Sequence, residues 1–319
     1  MEKIKVLVTS AGSINGINVI RSLERSHSFD VTVHVADCSE DSAGLYLGHE
    51  KTLLPKASDE EFLPFLIDCI QKHNIDAIIP AHSAELSVLT ENKFLIESYG
   101  ARILLHERST IDISEDKRKM IDAFALFEIP IPKEYSFEEL LCGNLFPVFK
   151  KSRFGSGAKN ARKICSHEDL LYFRDREIKN PIYQEYIDGD EYTISIFQTG
   201  KDFFMLPIKR IKVSGGMSVI CESVCFEDTI MEKVELICRR ISKFLKFNGP
   251  ANIQIKIDDD KIFVLEFNPR FPCGTYPCAS ESGFDMAEMI LSKLFDLPIK
   301  PSFKYGVKII RHWSYAVRG

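Results

Sequence analysis

The sequence predicts an α/β chain in which a doubly wound parallel sheet at the N-terminus is followed by an α+β region. Three observations point there. Residues 1 to about 112 alternate short apolar strands with helices, the rhythm of βαβ units and of a parallel sheet. Further on, strand-like segments follow one another in pairs, as antiparallel sheets require. The 319 residues are too many for one ordinary domain and suit two or three, and 45% hydrophobic with 27% charged residues is the balance of a globular enzyme.

Ile4 to Thr9 reads as a buried strand, and Ser10-Ala11-Gly12-Ser13-Ile14-Asn15-Gly16 as a small-residue turn into a helix over Ile17–Leu23. Val31–Ala36 is the next strand and ends at Asp37. A helix is expected over Glu61–His73, a strand over Ala77–Pro80, a helix over Glu85–Ser98 and a strand over Ile103–Leu105. A three-glycine dinucleotide fingerprint would need glycine where Ser10, Gly12 and Asn15 stand, so only Gly12 fits. Asp37 is the kind of strand-end acid that binds ribose, although acids are common at such ends. A turn that brings some other ligand to a helix N-terminus fits better.

The second unit begins near Ser114-Glu115-Asp116-Lys117, with Ser114 as the expected helix N-cap, and Ile129-Pro130-Ile131-Pro132 ends that helix. A strand over Val148–Lys150 leads into a loop with glycines at 155 and 157. Ile182–Ile187 is a strand ending at Asp188-Gly189-Asp190, and Glu191–Phe197 and Phe203–Ile211 read as an antiparallel pair. Glu227–Phe247 is a long helix, and Gly283 introduces a last one over Phe284–Phe295.

Composition excludes several classes. The 41 basic and 46 acidic residues give a net charge of −5, which argues against a general nucleic-acid surface. Nine cysteines without a disulfide rhythm fit reduced thiols, and neither Cys221/Cys225 nor Cys273/Cys278 has the two-residue gap of a zinc knuckle. The chain opens into a strand with no signal peptide, and no apolar run approaches the ~20 residues of a membrane span. The expected location is the cytoplasm, with no membrane partner.

The most informative segment is Val264-Leu265-Glu266-Phe267-Asn268-Pro269-Arg270. Glu266 and Asn268 lie two apart on a strand and so share a face. A carboxylate and an amide oxygen are hard ligands for Mg²⁺, and an arginine just beyond suits phosphate. Upstream, Asn252–Ile257 alternates polar and apolar. If the two segments form a hairpin around Asp258-Asp259-Asp260 with an odd loop length, Ile253, Ile255, Ile257, Phe263, Leu265 and Phe267 share the apolar face. Gln254 then joins Glu266 and Asn268 on the other. In the 150–160 stretch, glycines admit backbone N–H groups to anionic oxygens, and Lys150 and Lys159 add charge. Tyr183–Glu191 is a strand running into an acidic turn, which suits the edge of a base and ribose hydroxyls but equally a charged surface.

In this order, Asp-Lys, lysine with glycine loop, Gln-Glu-Tyr-Ile, Gln254 and Glu-x-Asn-Pro-Arg resemble the ATP-grasp superfamily, in its carbamoyl-phosphate-synthase-like and carboxylate–amine ligase branches. The resemblance covers nearly the whole chain. It implies a Rossmann-like domain over 1–112 and a two-lobed ATP-grasp fold over 113–319, with a lid lobe at about 130–188 and a C-terminal lobe at about 189–319. It implies ATP and Mg²⁺ (or Mn²⁺) as cofactors. Lys117 and Lys150 would contact phosphates under a loop containing Gly155, Ser156 and Gly157. Glu185 and the Ile187 backbone would hold adenine, Glu191 the ribose, and Gln254, Glu266 and Asn268 the metal. Arg270 would steady the transferring phosphoryl group. Three departures stand out: Lys151 where proline is common, Asn160 for glycine, and Phe271-Pro272-Cys273 interrupting a small-residue run.

The implied activity is activation of a carboxylate as an acyl phosphate for attack by an amine, with small-molecule substrates and a homodimer as an open expectation. Phosphoryl transfer to a carboxylate or carbamate is the alternative. An NAD oxidoreductase and a non-catalytic nucleotide-binding module are the further rivals. Lys209-Arg210 with Gly215-Gly216, and His82 with Glu85, are candidate acceptor contacts, with solvated surface the competing reading for the first group.

Overall fold

The computed structural model describes residues 2–155, 161–174, 180–312, 314, 316 and 317. The chain begins β1 (Glu2–Thr9), α1 (Ile14–Leu23), β2 (Phe29–Asp37), β3 (Glu50–Leu53), α2 (Phe62–His73), β4 (Ala77–Pro80), α3 (Ser83–Glu91), α4 (Lys93–Ser98) and β5 (Arg102–Ile103). The strands form one parallel sheet in the order β3-β2-β1-β4-β5. Strand order reverses between β1 and β4, so a crevice opens at their carboxyl ends. The four residues of β3 alternate half-buried and exposed at the sheet edge, which is why no apolar run announces the strand. The helix expected over 85–98 is two helices. Asn92 ends α3, its amide donating to the Val88 carbonyl at 2.9 Å.

The turn after β1 depends on local hydrogen bonds. Ser13 caps α1 by accepting from the Gly16 amide at 3.0 Å. A Cβ on Gly16 would sit 2.5 Å from the carbonyl oxygens of Ser10 and Ala11. The glycine this turn requires is therefore Gly16, outside the dinucleotide spacing.

Next come α5 (Arg108–Glu115) and α6 (Lys117–Leu126). The cap of α6 is Asp116, which accepts from the Arg118 amide at 2.9 Å. Ser114, expected in that role, sits in the last turn of α5 and donates to the Ile111 carbonyl. Asp116 is preferred because Arg153 grips its carboxylate with two bonds of 2.8 and 2.6 Å. That pairing holds the Asp116 carboxyl down at about 2.

A small lobe follows: β6 (Glu134–Tyr135), α7 (Phe137–Cys142), β7 (Val148–Ser152), β8 (Arg162–Ile164), α8 (His167–Phe173) and β9 (Pro181–Glu185). Its strands pair antiparallel in the order β6-β9-β7-β8 over a core of Leu140, Val148, Ile164, Leu170 and Tyr183. The larger lobe contains β10 (Asp190–Thr199), β11 (Asp202–Ser214), β12 (Met217–Ser223), α9 (Asp228–Phe244), β13 (Gly249–Asp258), β14 (Lys261–Asn268), α10 (Tyr276–Glu281), α11 (Met286–Leu294) and β15 (Lys308–Ile310). Six strands pair in the order β14-β13-β10-β11-β12-β15. One face carries Ile194, Ile196, Ile253 and Phe267 onto Val234, Cys238 and Ile241 of α9. At the other end, Leu206, Ile208 and Cys221 share a core with α10, α11 and one face of the parallel sheet.

The β13–β14 hairpin differs from the odd-loop expectation. Its loop is the two residues Asp259-Asp260, with Asp258 opposite Lys261 and Asp259 at φ 50°. On the turn side of the hairpin the apolar pairs are Ile257–Ile262 and Ile255–Val264, so Ile262 and Val264 are buried there, while Phe263 and Leu265 are not. A bulge at Leu265 then shifts the register, and Gln254 faces Glu266 while Asn252 faces Asn268. The expected grouping of the polar residues is reached by a different route.

The buried His106 ties the N-terminal unit to β13. Its Nδ1 accepts from the Asn248 amide at 3.1 Å, and its Nε2 donates to the Pro250 carbonyl at 2.9 Å. Burial pushes its pKa down to about 4. The folded state holds this imidazole neutral, whereas the unfolded chain protonates it near 6.5. Stability from this residue is present above that value and is withdrawn, by up to about 3 kcal/mol, as pH falls towards 4. Melting temperatures across this window should fall for the wild type and flatten in His106→Gln. Parallel profiles would refute the assignment.

Candidate active site

The site grows from one face of the six-stranded sheet. Side chains two apart on a strand share a face, and the register sets them side by side. Thr193 on β10 lies opposite Gln254 on β13, and Gln254 lies opposite Glu266 on β14. Asn252 and Asn268 form the next row. The Asn268 amide nitrogen donates to Glu266 Oε1 at 2.9 Å and to Asn252 Oδ1 at 3.3 Å. Asn268 Oδ1 accepts from Arg270 Nη2 at 2.9 Å, and the Arg270 carbonyl accepts from Asn252 Nδ2 at 3.0 Å. Gln254, Glu266, Asn268 and Arg270 are thus brought together.

Arg210 completes this face. Its guanidinium, 6% exposed, pairs with Glu191 Oε1 and donates to Gln254 Oε1 at 3.3 Å. It also donates to the Gly216 carbonyl at 2.6 Å and to Ser218 Oγ at 3.0 Å. A buried charge tolerates such a position only when paired and hydrogen-bonded, and this one is both. Glu191 therefore reaches the cluster through Arg210. The Lys209-Arg210 pair was legible in the sequence; the contacts with Glu191, Gln254 and Ser218 show that Arg210 is the inward member. Lys209 instead turns out to Asp190.

The phosphate side is partly as expected. Lys117 Nζ donates to the Gly155 carbonyl at 2.6 Å, and the Lys117 amide donates to the Arg153 carbonyl at 3.0 Å. These bonds dock the start of the glycine loop onto α6. Ser156 and Gly157, like Lys159 and Asn160, lie outside the described residues.

Lys150 does not join the cluster. Val148 and Lys150 share the β7 face that covers the small lobe's core, and Lys150 Nζ donates to the Phe173 carbonyl. Lys151, on the opposite face, reaches across to the larger lobe and donates to the Leu265 carbonyl at 3.2 Å. Leu265 is the bulged residue, left without a register partner on β13. Burial pushes the Lys151 ammonium down to about 8, and the neighbouring Glu266 carboxylate works against that fall. The signal that could have found it is Val148: a core-facing valine turns residue 150 the same way and residue 151 towards the site.

At the end of β9, Glu185 is exposed and its amide donates to the Lys133 carbonyl at 2.7 Å. The Ile187 carbonyl accepts from Lys256 Nζ at 2.6 Å. Gly189 follows, where a Cβ would meet the Ile257 carbonyl at 2.1 Å, so close backbone approach to β13 is fixed by the missing side chain.

Between this face and the crevice of the parallel sheet lies a cleft of about 490 Å³. Gly12–Asn15 and Ala81–Ser83 line it from one side, Gln254, Glu266, Asn268 and Arg270 from the other. Asn15 Nδ2 donates to the Phe271 carbonyl at 3.2 Å, joining the two walls. His82 faces the cleft, but Glu85 does not line it. The Glu85 carboxylate is buried behind the turn, accepting from Thr9 Oγ1 at 2.7 Å and Ser10 Oγ at 2.8 Å, and burial pushes it up to about 7. Asp37 accepts from the Gly12 amide at 2.8 Å. Cys273 lines the cleft with its thiol pushed up by burial. Cys278 is packed away and donates to the Val307 carbonyl.

The donor set fits a hard divalent ion. Gln254, Glu266 and Asn268 offer amide and carboxylate oxygens, with neither thiolate nor imidazole in the row, which suits Mg²⁺ or Mn²⁺.

The model of the ATP-grasp domain family matches residues 114–274, and that of the PylC-like N-terminal domain matches residues 6–104. The carbamoyl phosphate synthase large chain of Pseudothermotoga lettingae is 26% identical over 241 residues, covering 70% of this chain and 21% of that one. This chain therefore spans about a fifth of that relative's length. N5-carboxyaminoimidazole synthetase from Staphylococcus aureus, in complex with ADP, superposes with a TM-score of 0.74 at 17% identity over 96% of this chain and 81% of that one. L-amino acid ligase from Bacillus licheniformis gives 0.70 at 14% identity over 95% and 75%. At these identities the structures show a shared fold. Among the described residues no helix is long and apolar enough to cross a membrane.

Proposed function

The chain belongs to the ATP-grasp family, and from that premise we propose that it is a Mg²⁺-dependent carbon–nitrogen ligase. It would use ATP to activate a carboxylate as an acyl phosphate, which an amine then attacks. The observation that carries this reading is the row Gln254–Glu266–Asn268 with Arg270 beside it, facing a cleft at the switch point of the parallel sheet. The division near residue 112 belongs to the same reading: an N-terminal domain over 1–112 and an ATP-grasp domain over 113–319.

Bound Mg²⁺ would neutralise phosphate charge during transfer of the γ-phosphoryl group. The protein's own residues supply position and the remaining charge. Glu266 supplies the one negative ligand of the metal row. Arg270, held by Asn268, presents two N–H groups to the moving phosphoryl group. Lys117 and Lys151 would hold the phosphates beneath the loop that starts at Gly155. Glu185 and the Ile187 backbone would meet adenine, and the Glu191 oxygen not engaged by Arg210 would accept from ribose.

The second reading, phosphoryl transfer to a carboxylate or carbamate, is favoured by the carbamoyl phosphate synthase relatives. It shares every ATP residue and differs in acceptor. Small-molecule carboxylates and amines are the proposed partners, with no nucleic acid or membrane, and the cytoplasm as location. A homodimer remains to be tested by sedimentation.

ADP release should appear when carboxylates and amines are screened together with Mg²⁺-ATP. Release that requires only the carboxylate supports the second reading. Calorimetry should show Mg²⁺-dependent ATP binding with little affinity for NADH. Tight NADH binding without ATP binding would overturn the assignment.

A further inference from the structure

We propose that His34, Glu50 and His73 form a second metal site, suited to Zn²⁺ or a similar transition ion and separate from the row at Glu266. His34 on β2 is the register partner of Glu50 on β3, and His73 is the last residue of α2, which packs over this face of the sheet. His34 Nδ1 lies 3.1 Å from Glu50 Oε2, and His73 Nδ1 lies 3.5 Å from the same oxygen. All three ligand atoms lie within 4.8 Å of one another. A tetrahedral ion with bonds of about 2.0–2.1 Å holds its ligand atoms about 3.3 Å apart, close to both measured edges.

The surroundings support ligation. His34 Nε2 is 2.8 Å from Thr52 Oγ1. With Nε2–H donating to that hydroxyl, the Nδ1 lone pair would point at the shared centre, the usual outer-shell arrangement for a metal-bound imidazole. Glu50 is over-subscribed otherwise. Its Oε2 faces both imidazoles and also accepts from Lys5 Nζ at 3.0 Å. Lys5 also reaches Oε1 at 2.9 Å, so the carboxylate can keep Lys5 on one oxygen and give the other to the ion. The His34 side chain is buried, whereas those of Glu50 and His73 are 39% and 26% exposed. The ion can therefore arrive from solvent, and water can fill its fourth position. Two imidazoles with one carboxylate favour Zn²⁺ and its neighbours over Mg²⁺. The trio lies on the α2 side of the sheet, away from the carboxyl ends of β1 and β4 that line the cleft.

The test is calorimetry of the chelator-treated full chain with Zn²⁺ alone, repeated with Co²⁺ under visible absorption. The expected result is a single saturable Zn²⁺ site and the ligand-field bands of four-coordinate Co²⁺. His73→Ala, which removes a half-buried ring, should weaken Zn²⁺ binding at least about 10²-fold and abolish the bands, a loss beyond that of an outer-shell partner. Glu50→Gln should act in the same direction, so misfolding of one variant leaves the other to decide. No Zn²⁺ uptake by the wild-type chain would overturn the proposal. So would unchanged binding in both folded variants, with the ion on exposed thiols such as Cys38.

Discussion

Glu266→Gln is expected to lower ADP release by about 10³-fold or more, because it removes the charge of the metal row while conserving volume. Charge stabilisation by a bound divalent ion during phosphoryl transfer contributes several kcal/mol, which is several powers of ten in rate. The fold should not suffer. Glu266 is half-buried on the polar face, and a glutamine oxygen can still accept from Asn268 Nδ2 as Oε1 does now. The melting temperature should stay within about 3 °C of wild type, as for a substitution that removes no core contact. Some ATP affinity should survive through the adenine side. Steady-state ADP release with the best acceptor is the measurement, and near wild-type turnover would show that Glu266 binds no catalytic ion.

Arg270→Lys should lower kcat by about 10²-fold or more and change ATP affinity much less. A guanidinium is planar and can offer two parallel N–H groups to a phosphoryl group, whereas an ammonium is a point charge. The phosphoryl group develops its new charge distribution only during transfer, so the loss belongs mainly to the transition state. Asn268 Oδ1 already anchors one edge of the guanidinium at 2.9 Å, and the Arg270 carbonyl accepts from Asn252 Nδ2 at 3.0 Å. Lysine would keep the charge but lose that orientation. Kinetics on both proteins decide the matter: an unchanged kcat would reduce Arg270 to a structural partner of Asn268.

Much of this architecture was legible because periodicity is a local property. The βαβ alternation predicted the parallel sheet, and the shared face of Glu266 and Asn268 follows from a two-residue spacing that the bulge at Leu265 leaves intact. What stayed hidden was set by contacts between distant segments. Which face of β7 meets the larger lobe decides between Lys150 and Lys151. The core position of Val148 turns residue 151 away from the small lobe's core, and the crossing from Lys151 to the Leu265 carbonyl shows that this outer face meets the larger lobe. Ser114 and Asp116 are both good caps, and Arg153, 37 residues away, selects the second. The edge strand β3 has no apolar run to reveal it, and Asn92 splits a helix whose hydrophobic pattern continues through the break. Arg210 was visible only as one of two adjacent basic residues until its contacts with Glu191 and Gln254 showed which one turns inward.

The bulge at Leu265 has a consequence for tolerance to change in chain length. The pairs beyond it, from Ile255–Val264 to the turn, are out of phase with the pairs before it, from Gln254–Glu266 to Asn252–Asn268. A three-residue turn with no bulge would give the same alignment at the ligand end as the present two-residue turn with one. The surplus residue can therefore be stored at either place, and the hairpin acts as a slip joint. Losing one residue between Asp258 and Lys261 could be absorbed by straightening β14 at Leu265, with Gln254 still facing its carboxylate partner. The tip of the hairpin is thus free to drift in length and sequence while the spacing of the ligand end is preserved.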